Sequence, residues 1–151
     1  MINNQKRKYP DHPIATSLAI VFKGEEILLI KRSKEPSLGK WSLPGGRIDL
    51  GETVMEAAKR ETLEETQIKI DAKKVIDIAD GIVRDDNGRV RFHYIAHYVF
   101  SLYRSGEAIA SSDAADTKWA TREQIDELDM NPIVRRIIMS AFDMKEKGDV
   151  L

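Results

Sequence analysis

The sequence contains no cysteine among its 151 residues. This absence excludes disulfide bonds, thiol catalysis and zinc sites built from cysteine, and it argues against secretion as a disulfide-stapled scaffold. Long hydrophobic runs are also missing, because no apolar stretch approaches the ~20 residues of a membrane-spanning helix. The polar start from Met1 to Lys8 is not followed by the apolar core of a signal peptide. We therefore expect a cytoplasmic protein without a membrane partner.

A large net charge of either sign is missing too. The 24 basic and 25 acidic residues give a formal net charge of -1, so no global electric field favours nucleic acid over a small anionic metabolite. With 42% hydrophobic and 32% charged residues, the chain is suited to one globular domain with a buried core. We expect that domain over residues 14–148, after a polar leader over residues 1–13. The Lys6-Arg7-Lys8 cluster of the leader is interpreted as solvated and receives no function.

Apolar and β-branched stretches predict five strands, over residues 14–22, 26–31, 75–83, 90–103 and 117–120. Lys23-Gly24-Glu25 and the Asn87-Gly88 pair predict the turns of two hairpins. Residues 41–46 predict only a short strand and a loop, because proline lacks an amide donor and two glycines follow it.

Three helices are predicted between and after these strands. Thr53 and Glu56 have the spacing of a capping box, which marks the start of the first helix. Residues 121–128 predict a short helix and residues 132–147 a longer one. The predicted apolar face of that longer helix consists of Ile133, Ile137, Ile138 and Ala141. Together these elements predict an α+β fold, with a mixed, mostly antiparallel sheet packed between helices.

Three carboxylates have an unusual position on the first helix. Glu61, Glu64 and Glu65 follow the i, i+3, i+4 spacing of one helix face. The same face carries apolar residues expected in the core, namely Val54, Ala57, Ala58 and Ile68. Like charges at these spacings repel each other.

Neutralisation of this acidic face requires a positive partner. We expect Lys59 and Arg60 to project away from the three carboxylates, so a divalent cation held by oxygen ligands is the simplest explanation. Such a cation indicates phosphate chemistry, in which positive charge must offset the negative oxygens of a phosphoanhydride.

The segment from Gly46, GRIDLGETVMEAAKRETLEETQI, resembles the box of the Nudix hydrolase family, G-x5-E-x7-R-E-U-x-E-E-x-G-U with U apolar. The matching positions are Gly46, Glu52, Arg60, Glu61, Glu64, Glu65 and Ile68. Two positions differ, because Thr62 replaces an apolar residue and Gln67 replaces a glycine. A left-handed helix end at Gln67 is expected to cost about 1 kcal/mol.

The resemblance implies an α/β/α sandwich and a pyrophosphohydrolase that uses Mg²⁺, with Mn²⁺ as a substitute. Magnesium prefers oxygen ligands and is coordinated by both protein carboxylates and substrate phosphates. The expected metal ligands are therefore Glu61, Glu64 and Glu65. The resemblance adds the Gly45 carbonyl. Arg60 and Glu52 are expected to form a bidentate pair that fixes the loop against the helix.

The general base stays open between two regions of the chain. Glu64 lies within the box, whereas Glu107, Asp113 and Asp116 follow it. We rank Glu64 first and Asp113 second, because the loop at residues 111–113 is expected beyond the end of a strand. Asp113 is equally suited to an ordinary turn or cap.

Candidate substrate contacts are Trp41, Gly46, Arg84 and Tyr94. Each aromatic residue is suited to stacking a base, although loop anchoring for Trp41 and sheet packing for Tyr94 are alternatives. Lys31, Arg32, Lys34 and Arg84 are candidates for phosphate or ribose contact, with surface charge as the simpler interpretation of each one alone.

The flanks of the box are similar to those of short bacterial or archaeal Nudix proteins assigned as ADP-ribose pyrophosphatases. The segments that carry this similarity are residues 9–10, 88–94 and 112–119. They imply a nucleotide substrate, with ADP-ribose cleaved to AMP and ribose 5-phosphate. Two alternatives are a nucleoside triphosphate pyrophosphohydrolase and a non-catalytic module that senses a nucleotide. A homodimer is a further expectation from the family.

Overall fold

The computed structural model describes residues 6–149, so residues 1–5 of the predicted leader lie outside the described residues. The strands and helices within that range are β1 Ile14–Lys23, β2 Glu26–Arg32, β3 Trp41–Ser42, β4 Gly45–Arg47, α1 Val54–Thr66, β5 Lys69–Arg84, β6 Val90–Ser105, β7 Ala114–Thr121, α2 Arg122–Asp126 and α3 Pro132–Lys147. None of the helices in residues 6–149 has the length and apolar character needed to cross a membrane.

The strands of residues 6–149 form one mixed sheet. Its main path runs β3-β2-β1-β6-β5, while β4 pairs with β1 and β7 pairs with β2. Strands β1 and β6 are parallel, with Ile14 opposite Tyr94 and Phe22 opposite Leu102. The other strand pairs are antiparallel. The predicted mixed and mostly antiparallel sheet is therefore confirmed.

Alternation of side chains along β1 divides the core between the two faces of the sheet. Ala19 and Val21 pack on one face, in a cluster that includes Ala58 of α1. Ile20 and Phe22 pack on the opposite face, in a cluster formed with α2 and α3. Because helices cover both faces, the structure confirms the predicted α/β/α sandwich.

Helix α1 begins where the sequence predicted, and it ends at the position where Gln67 replaces the glycine of the family pattern. Thr53 and Glu56 form a reciprocal capping box, with both hydrogen bonds 3.1 Å long. The helix ends at Gln67, which has a left-handed backbone with φ of 63° and donates its N–H to the carbonyl of Leu63. Ser17 of β1 donates a hydrogen bond to the carbonyl of Val54, so the first turn of α1 is attached to the central strand.

The strand boundaries required corrections. Strand β5 begins at Lys69 rather than at residue 75, because its pairing with β6 continues that far. The loop predicted over Gly45 and Gly46 is instead the short strand β4, which pairs with Leu18 and Ser17 of β1. A Cβ at Gly45 would lie 2.4 Å from the Ser17 carbonyl oxygen. Glycine is therefore required here by the close approach of two strands.

Helix α3 has the predicted bounds, but its apolar face is shifted. Ile133 was predicted on the buried face, yet it is 41% exposed. Val134 takes that position and starts the i, i+3, i+4, i+7 row with Ile137, Ile138 and Ala141. Thr121, predicted as the first residue of the preceding helix, is instead the N-cap of α2.

Candidate functional site

A cleft with a volume of about 400 Å³ opens among β2, β4, β6 and the acidic face of α1. The predicted site residues that line it are Trp41, Gly45, Gly46, Glu61, Glu65, Tyr94 and Asp113. Glu52, Arg60, Glu64 and Arg84 lie outside its lining. The structure therefore brings seven of the predicted site residues together in one cleft and places the other four outside its lining.

Glu65 is the most buried carboxylate of the cleft, with 4% of its surface exposed. The backbone N–H of Gly45 donates a 2.8 Å hydrogen bond to its Oε1 atom. Burial raises the pKa of Glu65 to about 8, against the opposing effect of the Gly45 hydrogen bond, and the charges of Glu61 and Asp113 reinforce the rise. The ionised form of this side chain therefore needs a nearby cation.

Glu61 lies next to Glu65 in the cleft wall and faces the second glycine of β4. A Cβ at Gly46 would lie 2.6 Å from the carboxyl carbon of Glu61, so only glycine leaves room for this carboxylate. Burial raises the pKa of Glu61, while its hydrogen bond from Arg60 acts in the opposite direction. Two carboxylates that lack enough positive charge to favour their ionised forms therefore lie against the β4 backbone.

These two carboxylates fit a hard divalent cation such as Mg²⁺, or Mn²⁺ in its place. Both offer oxygen ligands, and both are harder to ionise in the absence of added positive charge. Within the described range, no three acidic, histidine or cysteine side chains enclose a metal ion by themselves. An open arrangement agrees with magnesium, which keeps several bound waters and is also coordinated by the phosphate oxygens of a substrate. The Gly45 hydrogen bond comes from its N–H, and the role of its carbonyl stays a prediction.

The expectation that Arg60 projects away from the three carboxylates is wrong. Its Nη1 atom lies 2.8 Å from Glu61 Oε1 and 3.3 Å from Glu64 Oε2. Helical spacing fixes the direction of the Cα–Cβ bond only, and the long side chain bends back toward the acidic face. Arg60 therefore neutralises part of the charge that was assigned to a metal alone.

The predicted pair between Arg60 and Glu52 is present. Arg60 donates to both carboxylate oxygens of Glu52, which lowers the pKa of that carboxyl. Its Nη2 atom also donates a 2.9 Å hydrogen bond to the carbonyl of Arg47. A single guanidinium thus attaches the loop at residues 47–52 to helix α1.

The two candidate bases have different surroundings. Both side chains are about half exposed, 49% for Glu64 and 58% for Asp113, so their neighbours distinguish them. Glu64 lies outside the cleft lining and pairs with Arg60. Asp113 lines the cleft, and its Oδ1 atom forms an ion pair with Lys34 Nζ at 2.9 Å. Its loop is attached to the end of α1, because the N–H of Ser111 donates to the carbonyl of Glu65. The tertiary structure therefore brings Asp113 close to the acidic face.

The predicted substrate contacts are divided. Trp41 and Tyr94 line the cleft together with Tyr98. Burial raises the pKa of Tyr98 to about 12. Arg84 instead donates a 3.0 Å hydrogen bond to the carbonyl of Gly88 in the turn between β5 and β6. The structure does not bring Arg84 to the cleft.

Of the candidates for phosphate or ribose contact, Arg32 and Lys34 line the cleft, and Arg7 lines it as well. Arg7 belongs to the leader cluster that was interpreted as solvated, and the structure places it in the lining of the cleft. Arg32 donates from Nε to the carbonyl of Pro36 at 2.6 Å, and burial lowers its pKa. Its place at the end of a buried strand was a usable signal, whereas the sequence held none for Arg7.

A family profile for the NUDIX domain matches residues 11–141. An ADP-ribose pyrophosphatase of Methanocaldococcus jannaschii is 36% identical over 109 residues, which cover 72% of this chain and 62% of that protein. A putative 8-oxo-dGTP diphosphatase of Bacillus subtilis is 34% identical over 103 residues, covering 68% of this chain and 62% of that protein.

A relative with a regulatory name matches more of the chain. The ADPR responsive transcriptional repressor NtrR of Acinetobacter baylyi is 34% identical over 144 residues, which cover 91% of this chain and 56% of that protein. The chain spans about three fifths of the length of these three relatives.

The fold also matches solved structures. A bifunctional NMN adenylyltransferase/ADP ribose pyrophosphatase of Francisella tularensis, complexed with AMP and a Mn ion, superposes with a TM-score of 0.71 at 28% identity. The match covers 90% of this chain and 42% of that one.

Proposed function

We propose, from the premise that this chain belongs to the Nudix family, that it hydrolyses a nucleoside diphosphate linked to another moiety. The lead substrate is ADP-ribose, which with one water gives AMP and ribose 5-phosphate. The observation that carries the proposal is the pair of carboxylates, Glu61 and Glu65, set against the β4 backbone in the wall of an open cleft. The named relative of Methanocaldococcus jannaschii supports the choice of ADP-ribose.

The roles of the chain's own residues follow from their contacts. Glu61 and Glu65 would hold Mg²⁺, or Mn²⁺ in its place. The bound ion supplies positive charge that offsets the phosphate oxygens in the transition state. Arg60 keeps Glu61 in place through a 2.8 Å hydrogen bond, and its pair with Glu52 holds the loop that follows β4. Gly46 keeps the space beside Glu61 free of side-chain atoms.

The general base is proposed to be Asp113, which reverses the ranking made from the sequence. Asp113 lines the cleft, whereas Glu64 lies outside its lining and pairs with Arg60. A base must come within hydrogen-bond reach of the attacking water, directly or through one further water. Glu64 remains the alternative base, and its place as a third metal ligand remains a proposal.

Recognition of the nucleoside is proposed to come from the aromatic wall. Trp41 and Tyr94 line the same cleft as the two carboxylates, so one molecule can reach both groups. The cleft volume of about 400 Å³ falls within the range of small-molecule sites. Gly46 is proposed to contact substrate through its backbone.

The test is a turnover panel in Mg²⁺ with product identification. It compares kcat/KM for ADP-ribose, other nucleoside diphosphate sugars, dinucleotides, and canonical and oxidised nucleoside triphosphates. We expect ADP-ribose to be preferred and to yield AMP, and we expect Glu65→Gln to abolish turnover while retaining the fold. Near-normal turnover by Glu65→Gln would refute its role in holding the metal.

Two other functions are outcomes of the same panel. Preference for a triphosphate, as the name of the Bacillus subtilis relative suggests, would move the protein to nucleotide-pool hydrolysis. Tight binding of ADP-ribose without turnover of any compound would identify a sensor, as the name of the Acinetobacter baylyi relative suggests.

Assembly and location complete the proposal. We propose a homodimer formed through the β5–β6 hairpin, because β5 is an edge strand and exposes Ile78, Ile82 and Val83. Light scattering of the full chain tests it, and a monomeric mass would contradict it. A cytoplasmic location is supported by the lack of cysteine.

A further inference from the structure

The segment before β1 is attached to the turn between β5 and β6 through Tyr9. The N–H of Tyr9 donates a 2.7 Å hydrogen bond to the carbonyl of Arg91. Its hydroxyl donates to Asp85 Oδ2 at 2.9 Å, and the guanidinium of Arg89 lies 4.2 Å from its ring centroid. Three contacts of different kinds therefore fix Tyr9, so the residues just before it have a defined position.

Arg7, two residues before this anchor, lines the same cleft as Glu61 and Glu65. Its Nη2 atom donates to the backbone carbonyl of Glu35, which leaves its other donors available. Lys8 differs from it, because it lies outside the cleft lining and pairs with the Glu35 carboxylate at 3.6 Å. The segment thus presents one cation to the cleft and another to the surface.

Arg32 lines the same cleft as Arg7, and the two charges act on each other. Burial is the main cause that lowers the pKa of Arg32, and the positive charge of Arg7 lowers it further, while Tyr94, Glu65 and Asp113 act in the opposite direction. In the described part of the chain, neither guanidinium forms an ion pair with a carboxylate. Two like charges that face one cavity repel each other unless an anion lies beside them. The pair therefore predicts an anionic group in this part of the cleft.

We propose that Arg7, held in place by Tyr9, binds phosphate oxygens of the substrate, so that the N-terminal segment forms part of the binding site. The inference rests on the proposed function, which supplies a diphosphate group to the cleft. Phosphate suits the planar fork of a guanidinium, which donates two parallel hydrogen bonds. Arg7 and Arg32 supply positive charge in the same cleft that holds the two glutamates.

The experiment compares full-length wild type with Arg7→Ala, and with Lys8→Ala as the matched control in the same segment. We expect Arg7→Ala to raise KM for ADP-ribose about tenfold with kcat nearly unchanged, because it loses a charge-assisted contact made in both ground and transition states. Lys8→Ala should leave both constants at the wild-type values. Arg7→Gln, which keeps a long side chain, repeats the test if Arg7→Ala folds poorly.

The anchor provides an independent variant. Tyr9→Ala should raise KM, as Arg7→Ala does, although Tyr9 itself contacts the β5–β6 turn and lies outside the cleft lining. The double variant should be no worse than Arg7→Ala alone, because both changes remove the same contact. Additive losses in the double variant would overturn the claim that Tyr9 acts through Arg7.

A titration with inorganic pyrophosphate in Mg²⁺ separates this inference from the proposed function, because it requires no turnover. Wild type and Lys8→Ala should bind pyrophosphate equally, and Arg7→Ala should bind it about tenfold more weakly. Equal affinity of Arg7→Ala and wild type, or no binding by wild type, would overturn the inference. If the turnover panel fails for every substrate, the proposed activity fails and this titration still decides the role of Arg7.

Discussion

Arg60 donates two parallel hydrogen bonds to the carboxylate of Glu52, 2.7 Å from Nε to Oε2 and 2.9 Å from Nη2 to Oε1. Hydrogen bonds to Glu52 and Glu61 raise the pKa of Arg60 against the effect of burial, so this guanidinium keeps its charge. Because Glu52 follows β4 and Glu61 belongs to α1, the Arg60 side chain fixes the position of β4 relative to α1.

Replacing Arg60 with alanine should lower kcat by tenfold or more, since groups that orient metal ligands typically contribute 10- to 100-fold. Arg60→Lys should recover little, because an ammonium group cannot form the planar pair with Glu52. Steady-state kinetics in Mg²⁺ measure both effects, and hydrogen exchange of residues 47–52 should become faster. Lys59→Ala, on the exposed neighbouring position, is the control. A rise in KM alone, with kcat unchanged, would show that Arg60 is a substrate ligand instead.

The metal-free protein should lose stability as pH rises from about 5 to 8 because of Glu65. Burial raises the pKa of this carboxyl from 4.5 to about 8, so the native state keeps a proton that the unfolded state releases in that window. The contribution of Glu65 to the free energy of unfolding is thus fully present below pH 4.5 and is lost as pH rises through about 8. Thermal unfolding in EDTA across this range measures the effect.

Glu65→Gln is the matched variant for this pH dependence, because its amide keeps the shape and cannot ionise. Its stability relative to wild type should increase with pH in EDTA. Mg²⁺ should reverse the order at pH 8, since the ion binds the ionised carboxylate of the wild type. Parallel curves for the two proteins at every pH would contradict the raised pKa of Glu65.

Asp113→Asn should lower kcat by about 100-fold or more if Asp113 is the general base, because this form of catalysis contributes about 10²–10⁴. Glu64→Gln should have a smaller effect, since Glu64 lies outside the cleft lining. Asp116→Asn is the control, as Asp116 is exposed and also lies outside the lining. A large loss in Glu64→Gln beside a nearly normal Asp113→Asn would restore the ranking made from the sequence.

Gln67→Gly should stabilise the fold by up to about 1 kcal/mol, because Gln67 has φ of 63° and glycine avoids the steric cost of the left-handed region. Urea unfolding measures the change in free energy, and activity should stay the same. Glu127→Gly is the control at the end of α2, where φ is -97°. Glycine at that right-handed position should bring no gain, and equal gains at both positions would refute the explanation.

Local signals predicted the helices and the core of the candidate site. Thr53 marked the start of α1, and Gln67 its left-handed end, because caps depend on hydrogen bonds between residues a few positions apart. The same locality explains why Glu61 and Glu65 were predicted together: at i and i+4 they lie on one face of any helix that contains them.

The sequence by itself determined where α1 lies, that Glu61 and Glu65 share one of its faces, and that helices and strands form a mixed sheet packed between helices. Only the three-dimensional structure decided that Glu64 lies outside the cleft lining, that Arg60 bends back to Glu61, and that Arg84 stays in the turn between β5 and β6. It also decided the place of Arg7, which depends on Tyr9 meeting Asp85 across 76 positions of the chain. Helical periodicity acts over a few residues and does not fix the rotamer of a long side chain such as Arg60. The contact of Tyr9 with Asp85 is long-range and depends on the parallel pairing of β1 with β6.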